Sequence, residues 1–145
     1  MLTVNHLLRD KPPEVWSVGP ETTVYDALAL MAQKDVGALP VIVNGELIGI
    51  VSERDYARKV VLKGLNSQAI PVKSIMTARV LTVDRKQTIE ACMAIMSDHH
   101  IRHLPVVEEG RVLGMISMRD VVKTIISDHE HTIDQMRNYI MGGAG

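Results

Sequence analysis

Apolar positions along this chain follow two different periods, and the change of period marks the elements. Over residues 23–33, Val24, Leu28 and Met31 recur at helical spacing; over 88–98, Ile89, Met93 and Met96 do the same and Ile101 continues the stripe. Thr23 and Thr88 stand where helix N-caps belong. Residues 39–43 and 104–107 are short β-rich runs, and 47–51 and 112–116 are matching runs that return. Asn44-Gly45-Glu46 and Glu109-Gly110-Arg111 lie between them, so each pair of runs reads as a β-hairpin. Residues 15–18 and 80–83 are expected to be short opening strands. Ser52 and Ser117 are expected to start closing helices that run to about residues 62 and 126. Residues 2–9 resemble 72–77, with Val4, Leu7 and Leu8 matching Val72, Ile75 and Met76 as a short lead-in helix. Residues 129–141 carry Ile133, Met136 and Ile140 on one helical face, with Gly142-Gly143 expected to stop that helix. So short a helix is marginal alone and needs its own domain or a second subunit to pack on.

The order of elements occurs twice. Gly49-Ile50-Val51-Ser52-Glu53-Arg54-Asp55 returns as Gly114-Met115-Ile116-Ser117-Met118-Arg119-Asp120, 65 residues later (114 − 49). Aligned without a gap, residues 15–55 and 80–120 share 13 identities in 41 positions. A duplicated unit that cannot bury its apolar face alone signals stacked repeats. The fold class is therefore α+β, with two β-α-β-β-α repeats packed about a pseudo-twofold axis. Its divisions are a lead-in helix and loop at 1–14, repeat 1 at 15–62, a connector and lead-in helix at 63–79, repeat 2 at 80–126, and a helical tail at 127–145. Small ligands favour such junctions.

Composition removes several function classes. The chain has 145 residues, 46% of them hydrophobic, enough for one compact domain. A net charge of −1 gives no field to draw in nucleic acid or an anionic membrane. One Trp, three Tyr and no Phe leave little for base stacking. Cys92 stands alone opposite Ala27, which suits a small buried residue and a reducing compartment. No apolar run reaches the ~18 residues of a membrane span, and residues 1–15 lack a signal-peptide pattern. A soluble cytoplasmic protein is the expectation. His99, His100, His103, His129 and His131 match no usual metal spacing, so no metal is expected. No phosphate-loop, dinucleotide or nucleophile motif is present, which points away from an enzyme.

The doubled Ser-x-x-Asp carries the chemistry. It sits where a strand meets a helix, where free N–H groups favour an anion. The Asp suits a vicinal diol, since one carboxylate can accept from both ribose hydroxyls. Arg54 and Arg119 can pair with phosphate through a planar fork. The same spacing is also that of a helix capping box. Arg102 and His103 replace Gly37 and Ala38 of the first copy. They place a cation and a pH-sensitive ring near the junction, or else form an exposed strand start that touches no ligand.

Together, Ile75-Met76-Thr77, His103-Leu104-Pro105-Val106-Val107, the Gly110 turn and Gly114-Met115-Ile116-Ser117-x-x-Asp120 resemble a tandem cystathionine-β-synthase (CBS) domain pair, or Bateman module, over nearly the whole chain. The resemblance implies a disc-like homodimer and a regulatory sensor of adenosyl compounds: AMP, ADP, ATP, NAD(H) or S-adenosylmethionine. It also implies clefts shared by the repeats. The first would use Ser52, Arg54 and Asp55 with Thr77, Thr82, Ile101, Arg102 and His103. The second would use Ser117, Arg119 and Asp120 with Ser17, Val36 and Gly37. The lead-in Thr has no counterpart there, and Arg9 and Lys11 are expected to compensate by touching phosphate. With no effector domain recognisable in these residues, the output is expected to act on a partner protein in trans. The alternative is a structural dimerisation module with vestigial clefts.

Overall fold

The computed structural model describes the backbone of residues 1–143 and the side chains through residue 140. Its elements follow the two-copy order. Helix α1 (Val4–Arg9) precedes α2 (Val24–Lys34), strands β1 (Ala38–Val43) and β2 (Glu46–Ser52), and α3 (Glu53–Tyr56), which continues as a π-helical turn over Ala57–Val61. A short 3-10 turn (Val72–Ser74) then leads to α4 (Ile89–His99), β3 (His103–Glu108), β4 (Arg111–Ser117) and α5 (Met118–Gly143).

Local chemistry repeats with the sequence. The Thr23 and Thr88 hydroxyls accept from the backbone N–H groups of Asp26 and Ala91, both at 3.1 Å, and so cap α2 and α4. Both helices end on a left-handed residue, Asp35 and His100, each with φ 54°. Asn44-Gly45 and Glu109-Gly110 take positive φ at both positions, as tight antiparallel hairpins require. Both hairpins shift register at the same place, between Val41 and Ile42 and between Val106 and Val107.

Two expectations are corrected. Residues 15–18 and 80–83 do not form strands; only Val18 and Val83 make single parallel bridges, to Val41 and Val106. Each sheet is therefore two-stranded. These segments offer too few alternating residues to sustain a ladder. The closing helix of repeat 2 and the tail are one uninterrupted helix, and Gly142-Gly143 lie within its last turn rather than beyond it. Residues 127–140 are exposed throughout and do not pack on their own domain.

The core is double and crossed. One cluster joins Ile89, Cys92, Met96, Leu104 and Ile116 of the second repeat to Val4 and Leu7 from the chain's start. The other joins Val24, Met31, Leu39 and Val51 of the first repeat to Val72 and Ile75. Each lead-in segment thus packs on the repeat that it does not precede by position in the duplicated order. Backbone bonds hold it there: Val4 N–H to Gln87 O and Ile89 N–H to Leu2 O on one side, Val24 N–H to Ile70 O and Val72 N–H to Thr22 O on the other. Burying each such Val, Leu or Ile contributes about 1.5–3 kcal/mol. Cys92 is fully buried, and burial together with the Asp84 charge pushes its thiol up to about 11. β2 and β4 meet at the junction.

The two strand glycines sit under the lead-ins. A Cβ on Gly49 would lie 2.6 Å from Met76 Sδ and 3.1 Å from the Thr77 carbonyl, whereas on Gly114 it would meet only the tip of Leu8, at 2.9 Å. Gly49→Ala is expected to cost about 1–3 kcal/mol, because a backbone atom cannot step aside. Gly114→Ala is expected to cost less. Urea unfolding of both variants checks the order, and equal midpoints would contradict it.

Candidate functional site

At the junction, β2 ends and α3 begins beside the loop that follows α4. There a cleft of about 570 Å³ opens. Ser52, Arg54, Asp55, Thr77, Ile101, Arg102 and His103 line it, as expected for the first cleft. Thr82 does not; Val80 and Leu81 line the wall in its stead. Gly37, assigned by resemblance to the second cleft, lines this one, because the His103 ring lies within 3.2 Å of where its Cβ would be. A Cβ at position 37 would press on the His103 ring, so glycine eases the close approach of the two repeats here.

The Ser52–Asp55 pair forms a capping box. Asp55 Oδ2 accepts from the Ser52 N–H at 2.9 Å and from its hydroxyl at 3.0 Å, while the Ser52 oxygen accepts from the Asp55 N–H at 3.1 Å. Asp55 Oδ1 pairs with Lys59, one turn on, at 3.0 Å. Capping and cleft lining are therefore the work of the same side chains. Arg54 spans the repeats, donating to the His100 carbonyl at 2.8 Å. Glu53, Arg58, Lys59, Arg79, His99 and His100 also line the cleft. Motif reading passed over them; only the Asp55–Lys59 spacing carried a signal. Arg54, Arg58, Lys59, Arg79 and Arg102 face two acids, Glu53 and Asp55, so the cleft is cationic in a nearly neutral chain.

The second half starts from the same geometry and ends differently. Ser117 N–H donates to Asp120 Oδ2 at 2.9 Å, and Asp120 N–H donates to the Ser117 hydroxyl at 3.1 Å. Position 124, the counterpart of Lys59, is Thr. The cation comes instead from Lys11, whose ammonium donates to Asp120 Oδ2 at 2.7 Å and to the Met115 carbonyl at 2.6 Å. Burial alone would raise the Asp120 pKa, but the Lys11 hydrogen bond and charge, with the Ser117 contacts, hold it below its usual 3.8. Lys11 thus holds the carboxylate rather than waiting for a phosphate. Arg119 lines an open groove along α5 with Val122 and Ile126, and Arg9 and Ser17 are exposed. Val36 packs on the first core.

His103 stands between the two ends. Burial pushes its pKa below 6.5; the Asp120 charge opposes this, and the charges of Lys11 and Arg102 add to it. Among the described residues, no group of three or more His, Cys, Asp or Glu side chains is placed to hold a metal. No helix among them is long and apolar enough to cross a membrane.

Comparison with known proteins agrees with this architecture. The family model described as CBS domain matches residues 4–62 and again 72–127. The chain is 39% identical over 128 residues to the mitochondrial CBS domain-containing protein CBSX3 of Arabidopsis thaliana, covering 85% of this chain and 62% of that one. It therefore spans less than two thirds of that relative. It is 30% identical to the CBS domain-containing protein YhcV of Bacillus subtilis, covering 90% and 86%. Among solved structures, a putative signal-transduction protein with CBS domains from Burkholderia ambifaria superposes with a TM-score of 0.84 at 46% identity, covering 87% and 95%. The CBS domain pair of protein MJ0100, whose structure is a complex with 5′-methylthioadenosine and S-adenosylmethionine, superposes with a TM-score of 0.78 at 23% identity, covering 88% and 98%. CBS pairs are in general regulatory ligand-binding modules. With two family matches spanning nearly all of it, and a crossed pair of β-hairpin repeats to match, this chain belongs to the CBS-domain family.

Proposed function

We propose that this protein is a non-catalytic sensor that binds one adenine nucleotide, ADP or ATP, in the cleft lined by Asp55 and Thr77. The observation that carries this reading is the cleft's charge: five Arg or Lys side chains against two acids. A nucleoside polyphosphate matches that field. S-adenosylmethionine carries a cationic sulfonium and methylthioadenosine no charge, so the arginines favour neither. Ile50, Val80, Leu81 and Ile101 offer the adenine an aliphatic surface. Asp55 and Thr77 take the ribose hydroxyls, and Arg54, Arg79 and Arg102 take phosphate. AMP and NAD(H) have the same adenosyl end with fewer or differently placed charges, and rank below ATP on this account.

The second end supports a different reading. There Lys11 holds Asp120 much as Lys59 holds Asp55, so a ribose would meet an ion pair at either end. The cationic lining described at the first cleft is what ranks that cleft ahead and leaves the second as vestigial on this reading. Ligand bound at the junction bears on both repeats at once, and it shifts whichever arrangement of the repeats, or of two subunits, it binds better. The chain works as a homodimer on this reading, and a partner protein in trans reads the shift.

Calorimetric titration with ATP, ADP, AMP, NAD(H) and S-adenosylmethionine is expected to give one nucleotide per chain, with ATP or ADP tightest. No heat with any of them at millimolar concentration would leave the dimerisation module as the reading. Asp55→Ala is expected to weaken ATP binding by about 1–3 kcal/mol through unpaired ribose hydroxyls, whereas Asp120→Ala leaves affinity within about twofold. Thr77→Val, which is outside the cap, tests the same cleft without touching α3. Two nucleotides per chain would overturn the one-cleft assignment.

His103 supplies a pH test. Its folded pKa lies below the unfolded 6.5, so the unfolded chain binds the extra proton between the two values. Stability is then expected to rise with pH through that window and to be lost on acidification below 6.5. His103→Gln removes this part of the slope. Urea midpoints of both proteins between about pH 5.5 and 7.5 check it, and identical slopes would contradict it.

A further inference from the structure

Helix α5 outruns the body that it starts from. Val121 is buried in the second core and Ile125 packs beside it, but residues 127–140 are all exposed. Along this helix Val122, Ile126, His129, Ile133, Met136 and Ile140 follow one another at steps of four and three. That is the spacing of a coiled-coil seam, with Ile at each position of one set and Val, His and Met at the other. Its apolar members are open to solvent: Val122 is 43% exposed, Ile126 52%, Ile133 53%, Met136 59% and Ile140 67%. A helix of this length carrying such a stripe has no apolar surface of its own to cover it.

We propose that the α5 seam pairs with the same seam of a second copy, in antiparallel orientation. Three features select this occupant. The stripe is self-complementary: Ile133 set against the partner's Met136 places Met136 against the partner's Ile133, and Ile140 against the partner's His129. The charges along one flank, Lys123, Glu130 and Arg137, alternate in sign at seven-residue intervals. In that register Glu130 comes within two residues of axial level with the partner's Arg137, about 3 Å along the axis, and the twofold repeats the pair. The length also fits. The same register sets Ile126, where the body ends, level with residue 143 of the partner, so the overlap uses the whole projecting segment and stops at the body. A parallel pair would stack His129 on the partner's His129. It would set Lys123, Glu130 and Arg137 against the flank formed by Ile125, Thr132 and Tyr139, which offers no charge. The antiparallel contact is isologous and closes as a dimer.

This inference rests on the homodimer reading above and on nothing said of the ligand. Sedimentation velocity of the full chain over a range of concentrations tests it. The native chain is expected to be a dimer, and Ile133→Asp with Met136→Asp a folded monomer with native circular dichroism, since both residues are exposed and lie beyond the body. Glu130→Arg is expected to weaken dimerisation by about tenfold or more, and adding Arg137→Glu to restore it. A dimer that persists in the double-Asp variant overturns the seam and leaves the homodimer reading standing. A native monomer overturns both. Charge reversal that is not rescued by the swap overturns the antiparallel register.

Discussion

Everything in this fold depends on two short segments that cross between the repeats. Neither two-stranded sheet with its flanking helices buries its apolar face without the other repeat's lead-in. Val4 and Leu7 complete the second repeat, and Val72 and Ile75 complete the first. Because each repeat is finished by chain that belongs, by position, to the other, the halves cannot separate without opening both cores. The crossing also fixes the cleft. Thr77 N–H and C=O bond Ile50 in β2, so the lead-in and the strand that ends at Ser52 share one wall.

On that frame the same few atoms cap a helix and line the cleft. Asp55 closes a capping box, and its second oxygen holds Lys59, yet it also lines a cleft with an excess of cations. The second half has the same box but takes its cation from a different part of the chain. Where Lys59 stands in the first copy, Thr124 stands in the second, and Lys11 reaches in from the chain's start to neutralise Asp120. A carboxylate freed from one neighbour takes the nearest available ammonium. In this chain that ammonium belongs to a segment with no counterpart before the second repeat.

The long helix shows the opposite economy. Its first turns carry Val121 and Ile125 into the core, and its later turns carry an apolar stripe rotated to one side of that face. The stripe begins beside the body at Val122 and continues past it. Packing on the core and an open apolar stripe are thus carried by one continuous helix with no hinge between them.

The sequence alone determined the elements that short-range chemistry decides. Thr caps, Asn-Gly and Glu-Gly turns and two hydrophobic periods placed both helices and both hairpins, and duplication placed them twice. In it, Ser52, Arg54 and Asp55 were legible because a strand-to-helix turn is local, whereas Thr77 and Arg102 were named only through the family resemblance. It overstated residues 15–18 and 80–83, because a strand needs a partner with matching hydrogen-bonding edges and periodicity does not supply one. It split α5 at about residues 127–128, because two helical stretches in one phase do not show by periodicity alone that they are continuous. Only the tertiary structure decided that Lys11, 109 residues from Asp120, would hold that carboxylate. The same is true of the packing of His103 onto Gly37, and of Arg58 and Arg79 entering the cleft. Pairings between distant residues depend on how the two halves dock, and the docking is set by the crossed lead-ins rather than by any local pattern.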